Sequence, residues 1–363
     1  MAHSRDTTHS MPELMTRIAV TLGVLAVYRL GTHLPLAGID QTALANLLAG
    51  IDQAALANLG SAFTGERVSI FALGVTPIIS ALLVVEVVRL ASERFNDWAG
   101  AAPNARRVNH YVLIGSLLLA ALQGYGIATE LERAKNVVNE PGPQFQLNVV
   151  ATFVAGTALL VWLAALISRH GVGSGFWILL LAPYLAGLPG LALSVYEAAH
   201  SGIMSEAGLV AVLAYVLVAL ATVAALGRTL ARSGMPLDRT LIWPLYIATI
   251  PAGVLAFTPW FFPDGRSAPL YLAALAVIVI GTSLAQWLRV DPRSARAETY
   301  SPRVEGVGAS LIALSALTLA AITVVPQFLT TQLGLPMLID GRLMTAIVAV
   351  ALAMQETPRR GQS

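Results

Sequence analysis

The sequence predicts an all-α, polytopic membrane protein with ten transmembrane helices in two inverted five-helix halves. Three observations carry that prediction. The 363 residues are 56% hydrophobic and 12% charged, with a mean hydropathy of +0.72. The solvent for most of the chain must therefore be a bilayer, and its length converts into spans of roughly 20 residues with short connections. The 22 basic residues are unevenly placed. With the N-terminus cytoplasmic, Arg29, Arg67, Arg133, Lys135, Arg266 and Arg342 fall outside and the other sixteen inside. The positive-inside rule then sets an even number of crossings and both termini in the cytoplasm. Finally, five crossings return a chain on the opposite side, so two sets of five are oppositely oriented. Inverted repeats of this kind place a pathway at the interface between halves; similarity between the two halves is too weak to establish the repeat by eye, and ten helices with no internal symmetry is the alternative.

Residues 1–13 form a polar cytoplasmic tail. The first span, near 14–31, ends in Tyr28-Arg29-Leu30-Gly31 rather than a small-residue cleavage site, so it is expected to stay. Residues 38–47, GIDQTALANL, recur as 50–59, GIDQAALANL. Two copies at a period of 12 residues are too few and too short for a solenoid and read as a local duplication. Both copies favour helix, carry Asp40 or Asp52 where it caps, and are too short to span. They belong on the outer side or in a cavity mouth.

The second span, near 74–91, opens on a break. Residues 63–88 read FTGERVSIFALGVTPIISALLVVEVV, a short amphipathic piece and then an apolar run interrupted by Gly74 and Pro77. In lipid an open backbone carbonyl or amide costs several kcal/mol, roughly, so a break at membrane depth needs protein or a water-filled cavity beside it. The chain is expected to surround something. Apolar runs bounded by charges and by Gly or Pro place the other spans near 109–128, 149–168, 175–193, 208–226, 241–259, 269–288, 304–324 and 341–356. The first half then covers 14–200, the second 201–356, and 357–363 form a second cytoplasmic tail.

Several chemistries are excluded. Cysteine is absent, which removes disulfides and thiolate catalysis. His3, His9, His33, His110, His170 and His200 have neither metal-ligand spacing nor an HExxH motif, so no metal, cofactor or catalytic group is expected. The run Gly171-Val172-Gly173-Ser174-Gly175 has no preceding strand and no GKS or GKT ending, so it reads as the tight turn between spans four and five. The basic residues account for topology and for attraction to anionic lipids. No aromatic-basic cluster accompanies them, so they do not argue for nucleic acid.

Residues 27–40, VYRLGTHLPLAGID, and 69–80, SIFALGVTPIIS, closely resemble the SecY family, the central subunit of the bacterial protein-conducting channel. Arg106-Arg107 with His110-Tyr111, then ALQGYGIA at 121–128, resemble that family's second cytoplasmic loop and third span. GTALLVWL at 156–163, RHGVGSG at 169–175 and AGLP at 186–189 resemble its fourth and fifth. PQFL at 326–329 and GLP at 334–336 resemble the ninth span and the loop after it, the second half being the more divergent.

The resemblance implies a SecY-like clamshell of two five-span halves around an hourglass pore, with a lateral gate between spans two and seven. It also implies a plug near 53–64, including Gln53, Leu56, Leu59 and Phe63, so that the second copy of the duplication lies in the plug. By correspondence the pore ring comprises Val75 and Ile79 on span two, Phe176 and Leu180 on span five, Tyr246 on span seven, and Ala346 or Ile347 on span ten. A narrow apolar ring can dewet and seal around whatever fills it, and no catalytic residue is needed. The family favours aliphatic residues here, so Phe176 and Tyr246 are departures that narrow the constriction or put a hydroxyl in it. The plain alternative for each ring residue is lipid-facing or core packing.

Glu86 stands where the family carries an uncharged polar residue beside the gate. An ionised carboxylate facing lipid is costly, so Glu86 either faces the cavity, is protonated, or lies at the cytoplasmic end and snorkels near Arg89. The loops after spans six and eight, 227–240 and 289–303, are too short for the basic protrusions that engage the ribosome or the motor ATPase SecA in the family. Two readings follow. In one, the chain is a channel subunit moving unfolded polypeptides across or into the bacterial inner membrane, with SecE-like and SecG-like small subunits and a motor other than standard SecA. In the other, it is a non-transporting scaffold or assembly partner in that membrane.

Overall fold

The computed structural model describes residues 11–44, 69–134, 136–183, 193, 196, 200, 206–232, 238–255, 267–289 and 304–333. The helices are α1 (Met11–His33), α2 (Thr76–Ala91), α3 (Glu93–Gly100), α4 (Ala105–Arg133), α5 (Pro143–His170), α6 (175–183), α7 (Glu206–Arg232), α8 (Trp243–Leu255), α9 (Ser267–Arg289) and α10 (Val304–Leu333). Strand pairing among the described residues amounts to two isolated antiparallel bridges, Pro35 with Ser69 and Ile39 with Val138. The all-α expectation holds. Nine of the ten expected spans coincide at least in part with these helices, and the tenth, 341–356, lies outside the described residues.

Among the described residues four stretches, Glu13–His33, Ala102–Arg133, Pro143–His170 and Leu213–Leu230, are long and apolar enough to cross a membrane. Three boundaries differ from expectation for physical reasons. Helix α2 starts at Thr76 rather than 74, because Gly74 takes a φ of +51° and ends a turn. A short amphipathic helix, α3, follows α2; Ser92 caps it by accepting the Phe95 amide, and Phe95 and Trp98 meet at 5.6 Å. Helix α10 passes through Pro326 to Leu333 instead of stopping near 324.

The described helices fall into two compact units, divided inside α2 between Val84 and Val85, between Asn104 and Ala105, and inside α6 between Leu180 and Leu181. The first unit contains α1, the start of α2, α4, α5 and α6 up to Leu180. Its main seam joins α4 to α5. On α5, Phe145, Val149, Phe153, Gly156, Leu160, Leu163 and Ile167 are buried at helical spacing. Opposite them α4 buries Ser116, Ala120, Gly124 and Ala128, four small residues one turn apart that let the backbones approach. Phe153 fills the space this leaves: a Cβ on Gly124 would lie 3.0 Å from its ring.

One end of the seam is closed by the loop after α1. Leu36, Ile39 and Leu44 are buried with Ala128, Val137, Phe145, Val149 and Phe153. Asp40 accepts the amides of Thr42 (2.8 Å) and Ala43 (3.1 Å), the capping role its position predicted. Glu132 on α4 accepts the Gly142 amide at 2.7 Å and the Gln146 side-chain amide at 2.6 Å, tying the start of α5 to the end of α4.

In the second unit α9 packs on α8 and α10, and α10 packs on α7. The buried stripe of α9 is Leu275, Val279, Ser283 and Gln286, and that of α7 is Ala219, Val223, Leu226 and Leu230. A π-helical turn, Asp238–Ile242, leads into α8. Pro326 has no N–H, so the Ile322 carbonyl four residues earlier lacks its helical donor. The Tyr215 hydroxyl on α7 donates to that carbonyl at 3.5 Å, a long bond that satisfies a group lipid cannot.

Candidate functional site

The break before α2 is built into protein. Ser69, Phe71 and Val75 are buried, and the segment's amides are paired in sequence: Ile70 to the Leu34 carbonyl (3.0 Å), Ala72 to Ser69 (3.0 Å), Gly74 to Phe71 (2.8 Å) and Thr76 to Leu73 (3.1 Å). Pro77 falls in the first turn of α2, where its missing N–H costs nothing. Phe71 anchors the segment. Its ring stacks on Tyr28 of α1 at 5.9 Å with an interplanar angle of 8°, and it occupies the space a Cβ on Gly31 would need. On the other side Gly156 of α5 lets the Ile70 carbonyl approach, since a Cβ there would lie 2.6 Å from that oxygen.

This geometry fixes Val75 and Ile79. The Ile79 amide donates to the Val75 carbonyl at 3.0 Å, so the two lie one turn apart where the break becomes helix. Val75 is buried and Ile79 half-buried. Phe176 and Leu180 are likewise one turn apart on α6, half-buried and buried, with Phe176 edge-on to Trp177 at 4.9 Å. The turn before α6 is held from two sides. The Val172 amide donates to Thr21 Oγ1 of α1 at 3.0 Å, and the Gly175 amide donates to Ser168 Oγ at 2.9 Å. Gly175 packs against the Ala164 carbonyl, and Gly173 adopts a φ of +74°. All four residues belong to the first unit.

Tyr246 lies on α8 in the second unit, half-buried, its ring 6.1 Å from Trp243. Glu86 is 7% exposed and its carboxylate is 3.1 Å from the Arg89 guanidinium one turn on. A buried carboxylate needs such a partner, because desolvation without one costs several kcal/mol, roughly. Gln53, Leu56, Leu59, Phe63, Ala346 and Ile347 lie outside the described residues. Among the described residues no three His, Asp or Glu side chains converge as metal ligands would.

Sequence reasoning missed the residues that support the site. Gly31, Phe71 and Gly156 sat inside the quoted motifs, yet nothing marked them as mutual neighbours. Thr21 and Val172 are 151 positions apart, and no local period joins them.

Residues 69–231 match the SecY family model. Over 197 residues the chain is 34% identical to the protein translocase subunit SecY of Buchnera aphidicola subsp. Acyrthosiphon kondoi, covering 52% of this chain and 55% of that protein. The chain spans about half the length of the curated relatives it matches. Among solved structures, Sec61 in the canine ribosome-channel complex from the endoplasmic reticulum superposes with a TM-score of 0.58 at 14% identity, over 96% of this chain and 92% of that one. A SecY structure, titled for a plug domain that stabilises the closed translocation channel and maintains a membrane seal, superposes with a TM-score of 0.59 at 13% identity and the same coverage. The family-model match covers the stretch that carries the buried break and α4 to α6, and the fold is similar to these channel structures over nearly the whole chain: the chain is similar to the SecY family.

Proposed function

We propose that this protein is a SecY-like channel subunit that moves unfolded polypeptides across or into the cytoplasmic membrane. The observation that carries the reading is the break at 69–76, in which the amides of Ile70, Ala72, Gly74 and Thr76 are paired with carbonyls and whose exit sets Val75 and Ile79 one turn apart at the start of α2. A lipid-facing bundle has no need of a non-helical segment at that depth. The ring of Val75, Ile79, Phe176, Leu180, Tyr246 and Ile347 then forms an apolar constriction between halves 14–200 and 201–356. Residues 53–64, with Gln53, Leu56, Leu59 and Phe63, plug it, and Glu86 borders the lateral gate. The relatives' names support this reading, one being a protein translocase subunit and another part of a ribosome-channel complex. SecE-like and SecG-like subunits, anionic lipids and an unfolded substrate are the proposed partners, with both termini cytoplasmic and no catalytic residue involved.

The short connections favour one second reading. Helix α7 ends at Arg232 and the π-turn begins at Asp238, while α9 ends at Arg289 and α10 begins at Val304. Neither interval offers a docking surface of standard size for a ribosome or SecA. A scaffold that no longer transports would have lost such surfaces first. Reconstitution separates the two readings. In a channel, Ile79→Gly or deletion of 53–64 raises ion leak across bilayers; unchanged conductance together with stoichiometric co-purification of a fixed partner supports the scaffold.

A further inference from the structure

The loop joining α4 to α5 holds the segment after α1 in a specific seat. The Asp40 amide donates to the Val137 carbonyl at 2.9 Å, and the Asn139 amide donates to the Gly38 carbonyl at 3.1 Å. These bonds flank the bridge between Ile39 and Val138. Gly38 takes a φ of +85°, and a Cβ there would lie 3.2 Å from the Phe145 ring. Leu36, Ile39 and Leu44 fill the apolar floor. The seat thus reads a pattern: Leu, Gly with positive φ, Ile, a capping Asp, and Leu.

That pattern occurs twice. Residues 36–47, LAGIDQTALANL, and 48–59, LAGIDQAALANL, are identical at eleven of twelve positions. Leu48, Gly50, Ile51, Asp52 and Leu56 repeat every residue the seat engages through its side chain or its backbone conformation. At the one differing position, Thr42 against Ala54, the bond in the seated copy comes from the amide and the Thr42 side chain is exposed. Residues 45–68 lie outside the described residues, but chain length permits the exchange. The stretch from Leu56 to Ser69 reaches roughly 40 Å when extended. Loop-closure entropy changes only logarithmically with the lengths exchanged.

We infer that the α4–α5 loop is a seat for either copy of the repeat, and that the chain exchanges between two registers twelve residues apart. On the reading of 53–64 as the plug, on which this clause rests, the second register ties Gln53 and Leu56 to the loop and makes them unavailable to the pore.

The chain has no cysteine, so introduced pairs are its sole thiols. Ile39 and Val138 form a non-hydrogen-bonded antiparallel pair, whose Cα separation of about 4.5 Å suits a disulfide. In the full chain in membranes, under a mild oxidant, Ile39→Cys/Val138→Cys crosslinks, and Ile51→Cys/Val138→Cys crosslinks above an off-seat control, Asn46→Cys/Val138→Cys. A 51–138 yield at the control level overturns the exchange. Gly38→Val strains the first copy's seat and raises the 51–138 yield several-fold; an unchanged yield also overturns it. Conductance tests the plug separately. A 51–138 crosslink that leaves conductance unaltered keeps the two registers and removes the plug reading.

Discussion

Gly156 of α5 lies directly against the Ile70 carbonyl, so close that a Cβ would sit 2.6 Å from the oxygen. The missing side chain is therefore a condition for the break before α2. Gly156→Val should destabilise the protein by about 1–3 kcal/mol, as overpacking does. Gly126→Ala on α4, where nothing lies within 4 Å, should instead be neutral or stabilising by up to about 1 kcal/mol. Thermal unfolding in detergent compares the two, and equal effects would contradict the packing described.

The Tyr215 hydroxyl matters only because Pro326 removes a donor. Tyr215→Phe should cost about 0.5 kcal/mol, at the low end for a hydrogen bond because this one is long. In a Pro326→Ala background, which restores the N–H, the same substitution should cost nothing. A double-mutant cycle measured by denaturant unfolding reads the difference, and additivity would show that Tyr215 does not serve the Ile322 carbonyl.

Thr21 joins α1 to the turn before α6 by accepting the Val172 amide and donating to the Arg17 carbonyl at 3.0 Å. Thr21→Val keeps the shape and removes the acceptor, leaving a part-buried amide unpaired at a cost of about 1–3 kcal/mol. Thr21→Ser should retain most of the stability. Hydrogen exchange at Val172 should accelerate in the Val variant alone; protection in both would rule out the staple.

Glu86 and Arg89 are mutually dependent. Neutralising Glu86 with Leu leaves a guanidinium in a site only 15% exposed, and single loss of a buried partner costs about 3–5 kcal/mol. Replacing both with Leu should be markedly less harmful than the sum of the single changes. The coupling energy in an unfolding cycle should exceed about 0.5 kcal/mol. Strict additivity would mean the pair is incidental.

Hydropathy and Gly/Pro punctuation made the architecture legible, down to the break at Gly74 and Pro77, the Asp40 cap and the turn at 171–174. These are local signals: a positive φ, a missing N–H or a carboxylate two residues from an amide leaves its mark in adjacent letters. Contacts across the fold left no such mark. Phe71 between Gly31 and Gly156, or Thr21 on Val172, depends on which helices become neighbours, and periodicity is silent on that. Helix α10 runs past Pro326, and the donor to the Ile322 carbonyl there is Tyr215, over a hundred residues earlier. The proposed pore ring rests on correspondence for its placement, since Val75 and Ile79 differ in no local respect from other aliphatic residues at a helix start.

The most direct test uses the absence of native thiols. Ile79→Cys, alone in the chain, should crosslink to a single-cysteine unfolded polypeptide arrested during passage through the membrane. Val84→Cys, 58% exposed on the same helix, should not. Crosslinking confined to position 79 is the result expected of a polypeptide channel with its constriction at the start of α2. Crosslinking at neither position, or equally at both, would contradict it.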